Sequence, residues 1–161
     1  MKMLMRWIVA FLLALLPVAG HSAGDPFMGT WQLNKAKSTI AGNAADVVKF
    51  KQFVFAPTAE GVLITETLTY VAPEGEKTEV SYLPYVYGKY TPQKGPGMDA
   101  LLVEKTNPQT MFWTPALKGK VLAKLRIDLS DDGKLLTFRY LQRASDLANK
   151  VAADRYVYEK K

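Results

Sequence analysis

The chain has 161 residues, a formal net charge of +6, no cysteine and a single histidine, His21. Without cysteine there is no disulfide framework, and metal sites built from several His or Cys ligands are excluded. The basic residues are scattered along the chain, which argues against nucleic acid as a partner. A lone histidine argues against Ser-His and Cys-His catalytic pairs, so we expect a protein that is not an enzyme and uses no cofactor or metal.

The first predicted element in chain order is a signal peptide, residues 1–23. Two basic residues precede an apolar run from Trp7 to Leu16, and small residues follow it. That run is shorter than the roughly 20 apolar residues that a transmembrane helix needs. We expect cleavage after Ala23, with Gly20 as the alternative, and therefore a periplasmic or secreted protein that is not inserted in a membrane. Residues 24–161 are expected to form one domain.

From Phe27 onward the chain is rich in Val, Ile, Leu, Thr, Tyr and Phe, and clusters of Pro, Gly, Asp or Asn interrupt it regularly. This rhythm predicts an all-β domain of antiparallel strands. The strands are expected near Gly29–Leu33, Val47–Phe55, Val62–Val71, Thr78–Tyr90, Ala100–Lys105, Thr110–Thr114, Lys120–Leu129, Lys134–Gln142 and Arg155–Glu159. Short connections favour an antiparallel up-and-down β-barrel of about 8–10 strands, with a two-sheet sandwich as the alternative.

Two segments depart from the strand pattern. Ser145–Ala152 has helical spacing and a capping serine, although a polar loop is an equal alternative. Thr91–Asp99 contains two prolines and two glycines, which disfavour strand pairing. We expect Thr91–Asp99 to be the most mobile connection and a lid over one mouth of the barrel.

The opening of the first strand carries a resemblance to a known family. Gly29–Trp31 resembles the Gly-x-Trp of the first lipocalin strand, and the longer GTWQLNKAKS is similar to the start of exported bacterial lipocalin-like proteins. The closing VYEKK, Val157–Lys161, resembles the end of the same group. The resemblance implies a lipocalin-like barrel in which Trp31 stacks with a basic residue of the last strands, Arg155 first and Arg143 second. It implies no activity, because the group has none in common.

A second hairpin pattern concerns the strands near 120–129 and 134–142. Every second residue from position 121 to 129 is apolar, and Phe138 and Tyr140 share the apolar face of the next strand. If Ser130–Gly133 forms a two- or four-residue loop, Leu125 lies opposite Phe138 and the two apolar faces coincide. Tyr140 then faces the interior and is a candidate ligand contact.

Two polar residues interrupt the apolar faces of an earlier hairpin. If its turn is centred on Ala59, Gln52 lies directly opposite Glu66, and the pair could orient the polar group of a ligand within an apolar cavity. The alternative is a bulge that turns Glu66 outward and leaves Phe53 and Phe55 facing the core. Gln52 and Glu66 are therefore candidate ligand-binding residues.

The run SYLPYVYGKY, residues 81–90, supplies the remaining candidates. Tyr85 and Tyr87 share a face with Leu83, and their rings suit either a cavity wall or ordinary cross-strand packing. Pro84 cannot donate to a ladder, so we expect a bulge or an unpaired position there.

These patterns lead to two main functional hypotheses. The first is a non-enzymatic, exported barrel that binds or carries a small, largely apolar molecule. The second is a barrel filled by its own side chains that binds an envelope protein or glycan through its outer surface. An enzyme such as an isomerase is a third hypothesis. An open interior predicts the carrier, and bulky side chains at most inward positions predict the interaction module.

Overall fold

The computed structural model describes residues 24–40, 44–95, 97–143 and 154–161. The predicted signal peptide and the candidate helix Ser145–Ala152 lie outside these residues. A 3₁₀ turn spans Lys35–Lys37, and the short helix α1 spans Ala44–Val47. The strands are β1 Gly29–Leu33, β2 Val48–Thr58, β3 Gly61–Ala72, β4 Gly75–Tyr85, β5 Tyr90–Pro92, β6 Ala100–Asn107, β7 Thr110–Leu117, β8 Lys120–Val121, β9 Ala123–Leu129, β10 Leu135–Arg143 and β11 Arg155–Lys160.

The strands form one antiparallel, up-and-down sheet that curls into a nearly closed barrel. Its order is β4-β3-β2-β1-β11-β10-β9-β7-β6-β5, with β8 paired to β7. The strands β8 and β9 are one predicted strand interrupted at Leu122, whose backbone N–H donates to the Pro115 carbonyl over 2.9 Å. The predicted all-β barrel is thus confirmed, and the sandwich alternative is wrong.

The barrel has a seam, defined here as the gap between β4 and the pair β5–β6 at the two ends of the sheet. The Gly88 N–H donates to the Val103 carbonyl over 2.8 Å and bridges the seam at one level. Gln93 Nε2 bridges it at another by donating to the Pro84 carbonyl over 2.7 Å. The backbone N–H and C=O of one strand residue point toward the same side of the strand. Because the Pro84 carbonyl faces the seam, the N–H that proline lacks would also have faced the seam and not β3. Its ladder with β3 shows no register shift, so the expected bulge is absent.

The two ends of the barrel differ, and one is closed by Phe27 and Trp31, both with no solvent exposure. Trp31 Nε1 donates to the Phe27 carbonyl over 2.8 Å, and Lys160 Nζ lies 5.0 Å from the indole centroid. The cation over Trp31 thus comes from the last strand, as the resemblance implies, but it is Lys160 and not the expected Arg155, which donates to the Lys37 carbonyl. Gly29 has a φ of +122°, and a Cβ there would lie 3.1 Å from Lys160 Cε, which explains the glycine of the motif. The opposite end, where β2, β6 and β11 begin, is called the mouth.

The β9–β10 register differs from the expected one by two residues. Phe138 lies opposite Ile127, and Tyr140 lies opposite Leu125. The reason is that Leu129 lies opposite Leu136, so the connection between the paired residues is two residues longer than expected. Within it, the Leu135 N–H donates to Ser130 Oγ over 2.9 Å. An even shift preserves the side-chain faces, so the prediction that the two apolar faces coincide is confirmed.

The outer wall carries an arginine ladder, defined as Arg126, Arg139 and Arg155. Arg139 on β10 lies directly opposite Arg126 on β9 and Arg155 on β11, and all three side chains are exposed. Like charges placed directly across a sheet destabilise it. Arg126 is partly neutralised because its Nε donates to both carboxylate oxygens of Asp128 over 2.9 Å.

Candidate functional site

The register of β2 and β3 decides which side chains face the interior. Thr58 lies opposite Gly61, so the connection is a two-residue loop rather than a turn centred on Ala59. Gly61 is required there, because its φ is +153° and a Cβ would collide with the backbone carbonyl of Tyr85. As a result Glu66 lies opposite Phe53, and the expected pairing of Gln52 with Glu66 is wrong by one residue.

The mouth half of the barrel encloses a cavity of about 200 Å³, called the inner chamber. Its walls come from most strands of the barrel, and nearly half of the described lining residues are aromatic. They include Phe53, Trp113, Phe138, Tyr140, Tyr156 and Tyr158. Alternating inward residues on neighbouring strands place these rings around one space.

A second cavity of about 420 Å³, called the outer chamber, adjoins the inner one. The two chambers share six lining residues, among them Glu66, Leu125 and Tyr140. Residues 93–95, 97 and 98 of the predicted lid line the outer chamber. The predicted lid segment thus borders the cavity, although Thr91 and Pro92 belong to β5.

An aromatic cluster separates the inner chamber from the closed end. The Phe53 and Phe138 rings stack with centroids 5.4 Å apart, and Trp113 meets Phe138 edge-to-face at 5.3 Å. Tyr158 lies 5.0 Å from Phe138, and Phe55 lies 6.1 Å from Trp113. Edge-to-face and offset pairs of this kind are favourable and rigid. They fill the middle of the barrel between the inner chamber and the closed end.

An ion pair lies in the wall of the inner chamber. Lys51 Nζ is 2.8 Å from Glu66 Oε1, and both side chains are about four-fifths buried, with relative exposures of 23% and 22%. Lys51 Nζ also lies 5.3 Å from the centroid of the Phe53 ring, a cation–π distance. Burial, followed by the negative charge of Glu66, raises the pKa of the Tyr158 phenol well above its ordinary value.

The five sequence candidates fall into three groups. Glu66 and Tyr140 both line the two chambers. Gln52 lies opposite Thr67, alternates with the buried Phe53 and does not line either chamber. Tyr85 and Tyr87 lie at the closed end, away from the chambers. Leu83 and Tyr85 share one face, as predicted, and that face is buried, while Tyr82 on the other face is 61% exposed.

Tyr85 and Tyr87 belong to a cluster, called the closed-end cluster, that also contains Asp25 and Lys105. The Tyr85 hydroxyl donates to Tyr87 over 3.3 Å, and Tyr87 donates to Asp25 Oδ2 over 2.8 Å. Lys105 Nζ lies 3.0 Å from Asp25 Oδ1, which also accepts from the Phe27 N–H over 3.1 Å. Burial is the main cause that raises the pKa of both tyrosines.

Sequence reasoning missed several wall residues, above all Lys51, Tyr156 and Tyr158. The signal for Lys51 was its alternation with Phe53 and Phe55, which the structure shows to be the inward face. Within the described ranges, no group of three or more His, Asp or Glu residues could hold a metal ion. In the same ranges, no helix is both long and apolar enough to cross a bilayer.

The fold and the site together define an all-β barrel of the calycin type, nearly closed, whose mouth half contains the two adjoining chambers. No family model matches the sequence, and neither does any curated protein sequence. Solved structures do match: As-p18, an extracellular fatty acid binding protein, superposes with a TM-score of 0.58 at 11% identity over 85% of this chain and 97% of its own.

Two further structures show the same fold. The fatty acid binding protein of Schistosoma mansoni, in complex with arachidonic acid, has a TM-score of 0.53 and 10% identity, covering 84% of this chain and 96% of its own. Lipid binding protein 8 of Caenorhabditis elegans, in its apo form, has a TM-score of 0.53 and 13% identity, covering 86% and 98%. At these identities the likeness is one of fold.

Proposed function

We propose that the protein is a non-enzymatic carrier that binds a small, largely apolar molecule inside the barrel. The observation behind this proposal is the inner chamber, a space of about 200 Å³ with aromatic walls that adjoins the outer chamber. Small-molecule sites are typically concave and mostly apolar, with a few polar groups that orient the ligand. The structural neighbours named for fatty acid or lipid binding support the same reading.

Export is part of the proposal. The predicted signal peptide at residues 1–23 supports a periplasmic or secreted carrier, and the resemblance of GTWQLNKAKS, residues 29–38, to the start of exported bacterial lipocalin-like proteins points the same way. N-terminal sequencing of protein recovered from the producing cells tests this part. A start at Gly24 or His21 supports export, whereas retained Met1 contradicts it.

The carrier proposal is tested by native mass spectrometry of protein purified without organic solvent, followed by solvent extraction. We expect a consistent small-molecule adduct that extraction removes. A variant that fills the inner chamber, Leu125→Trp, should lose the adduct and weaken binding of an apolar probe by at least about tenfold. Arg126→Trp, one residue away on the outer face, is the matched control and should leave binding unchanged.

The interaction module remains the second candidate, because the arginine ladder presents an exposed basic surface on the outer wall. Its partner would be an anionic envelope protein or glycan. The same two variants separate the candidates when capture of an acidic glycan is measured as well. If the unaltered protein binds neither adduct nor probe, and if Arg126→Trp abolishes glycan capture while Leu125→Trp leaves it unchanged, the interaction module is the better description.

A further inference from the structure

The walls of the two chambers contain few charges. Among the described lining residues, Lys51, Glu66 and Lys94 are the ones with a carboxylate or ammonium side chain. Lys94 lines the outer chamber and is exposed to solvent, where salt screens its field. The other two are the charged residues among the described walls of the inner chamber, and they are bonded to each other over 2.8 Å. Its described walls therefore carry no net charge.

This pairing matters for an anionic ligand. Lys51 is the cation among the described walls of the inner chamber, so a ligand carboxylate there would either displace Glu66 from it or share it with Glu66. In both cases two carboxylates would have one cation between them in a partly buried site, which is costly in a low-dielectric interior. An uncharged polar group leaves the ion pair intact.

The remaining polar groups of the inner chamber suit an uncharged ligand. Tyr140, Tyr156 and Tyr158 line it, and a phenolic hydroxyl can both donate and accept a hydrogen bond. A tyrosine hydroxyl is protonated at physiological pH, and the raised pKa of Tyr158 moves its ionisation still further from that range. A hydroxyl, ketone or ester oxygen can hydrogen-bond to such groups without carrying charge into the wall.

We propose that the inner chamber selects uncharged ligands, namely an apolar molecule whose polar group is a hydroxyl, ketone or ester, over a carboxylate of equal length. This inference rests on the proposed carrier function and specifies its ligand class. It also separates this chain from the fatty acid binding that its structural neighbours are named for, since a fatty acid is an anion at neutral pH.

The test compares 1-decanol, methyl decanoate and decanoate by titration calorimetry at about pH 7.5, where the acid is ionised. We expect the alcohol and the ester to bind the unaltered protein at least about tenfold more tightly than decanoate. Decanoate binding as tight as that of decanol overturns the inference but leaves the carrier function standing. Absence of binding by all three contradicts the carrier function and the inference together.

Glu66→Gln gives the sharper second measurement. It frees Lys51 without changing the size of the side chain, so decanoate should bind at least about tenfold more tightly than to the unaltered protein, with decanol little changed. Glu104→Gln is the matched control, because it removes one exposed carboxylate outside the chambers and should change neither affinity. If the affinity for decanoate rises equally in both variants, the change in net charge explains the rise and the ion pair in the wall does not. That result overturns the inference.

Discussion

At the residue scale, Trp31 shows how one side chain closes an end of the barrel. Its ring has no solvent exposure, its Nε1 is bonded to the Phe27 carbonyl, and Lys160 covers it. The glycine two residues earlier allows Lys160 to approach. In the Gly-x-Trp motif, Trp31 therefore closes the end of the barrel and Gly29 leaves room for the Lys160 side chain over the indole.

Trp31→Ala is expected to lower the free energy of unfolding by about 3–5 kcal/mol, because it empties a fully buried aromatic site. Urea denaturation measures the change, and Trp31→Phe should recover part of the loss by refilling most of the volume. A loss below about 1 kcal/mol would mean that the closed end does not depend on this ring.

Asp25 is the second residue whose role can be measured. Asp25→Asn is expected to lower the free energy of unfolding by about 1–3 kcal/mol, because the carboxylate accepts from Tyr87, Lys105 and the Phe27 N–H. Urea denaturation of Asp131→Asn is the control, since Asp131 lies in an exposed turn. Equal effects of the two substitutions would contradict a structural role for the closed-end cluster.

At the element scale, the hairpins show what the sequence can and cannot predict. The alternation of apolar residues in β9 and β10 predicted the correct faces, although the register differed by two residues. In the β2–β3 hairpin an error of one residue placed Gln52 instead of Phe53 opposite Glu66. Register depends on turn length, and both residue pairings satisfied the local pattern. Lys51 was therefore missed as the partner of Glu66.

The arginine ladder allows a stabilising substitution. Arg139→Thr is expected to raise the free energy of unfolding by about 0.2–1 kcal/mol at low salt, because Arg139 lies between two other arginines. The gain should shrink at about 1 M salt, where the screening length falls to about 3 Å. Lys120→Thr removes the same charge outside the ladder and serves as the control. A destabilised Arg139→Thr variant would mean that the guanidinium makes a favourable contact that outweighs the repulsion.

The segment from Gln93 to Asp99 is a second element with a measurable property. Limited tryptic digestion should cut first after Lys94, which is exposed at the rim of the outer chamber, and decanol should slow that cut. Lys124 is exposed but lies within β9, so it should be resistant and unaffected by the ligand. Cleavage after Lys124 before Lys94 would contradict the expected lid.

At the scale of the whole molecule, the barrel was predictable and the cavity was not. Strand rhythm and the Gly-x-Trp opening indicated a lipocalin-like barrel, and the structure has that architecture. The size of the cavity depends on how side chains from distant strands share the interior. Phe53, Trp113 and Phe138 lie far apart in sequence, and their contact follows only from the closed sheet. No local pattern carries that information.

The seam is the place where we expect the barrel to open, because the two ends of the sheet meet there without a continuous ladder. The strand β10 has a ladder on each side, and both must break before all its amides reach solvent, whereas β4 has a ladder on one side, with β3, and a side-chain bond across the seam from Gln93. We expect hydrogen–deuterium exchange to be fastest in β4 and β5 and slowest in β10, β11 and β1, with intermediate rates between them. Equal protection of β4 and β10 would mean that the sheet is continuous in solution. Exchange rates that decrease from β4 and β5 toward β10 would show that the barrel opens locally at the seam. Such opening would leave the aromatic cluster in place.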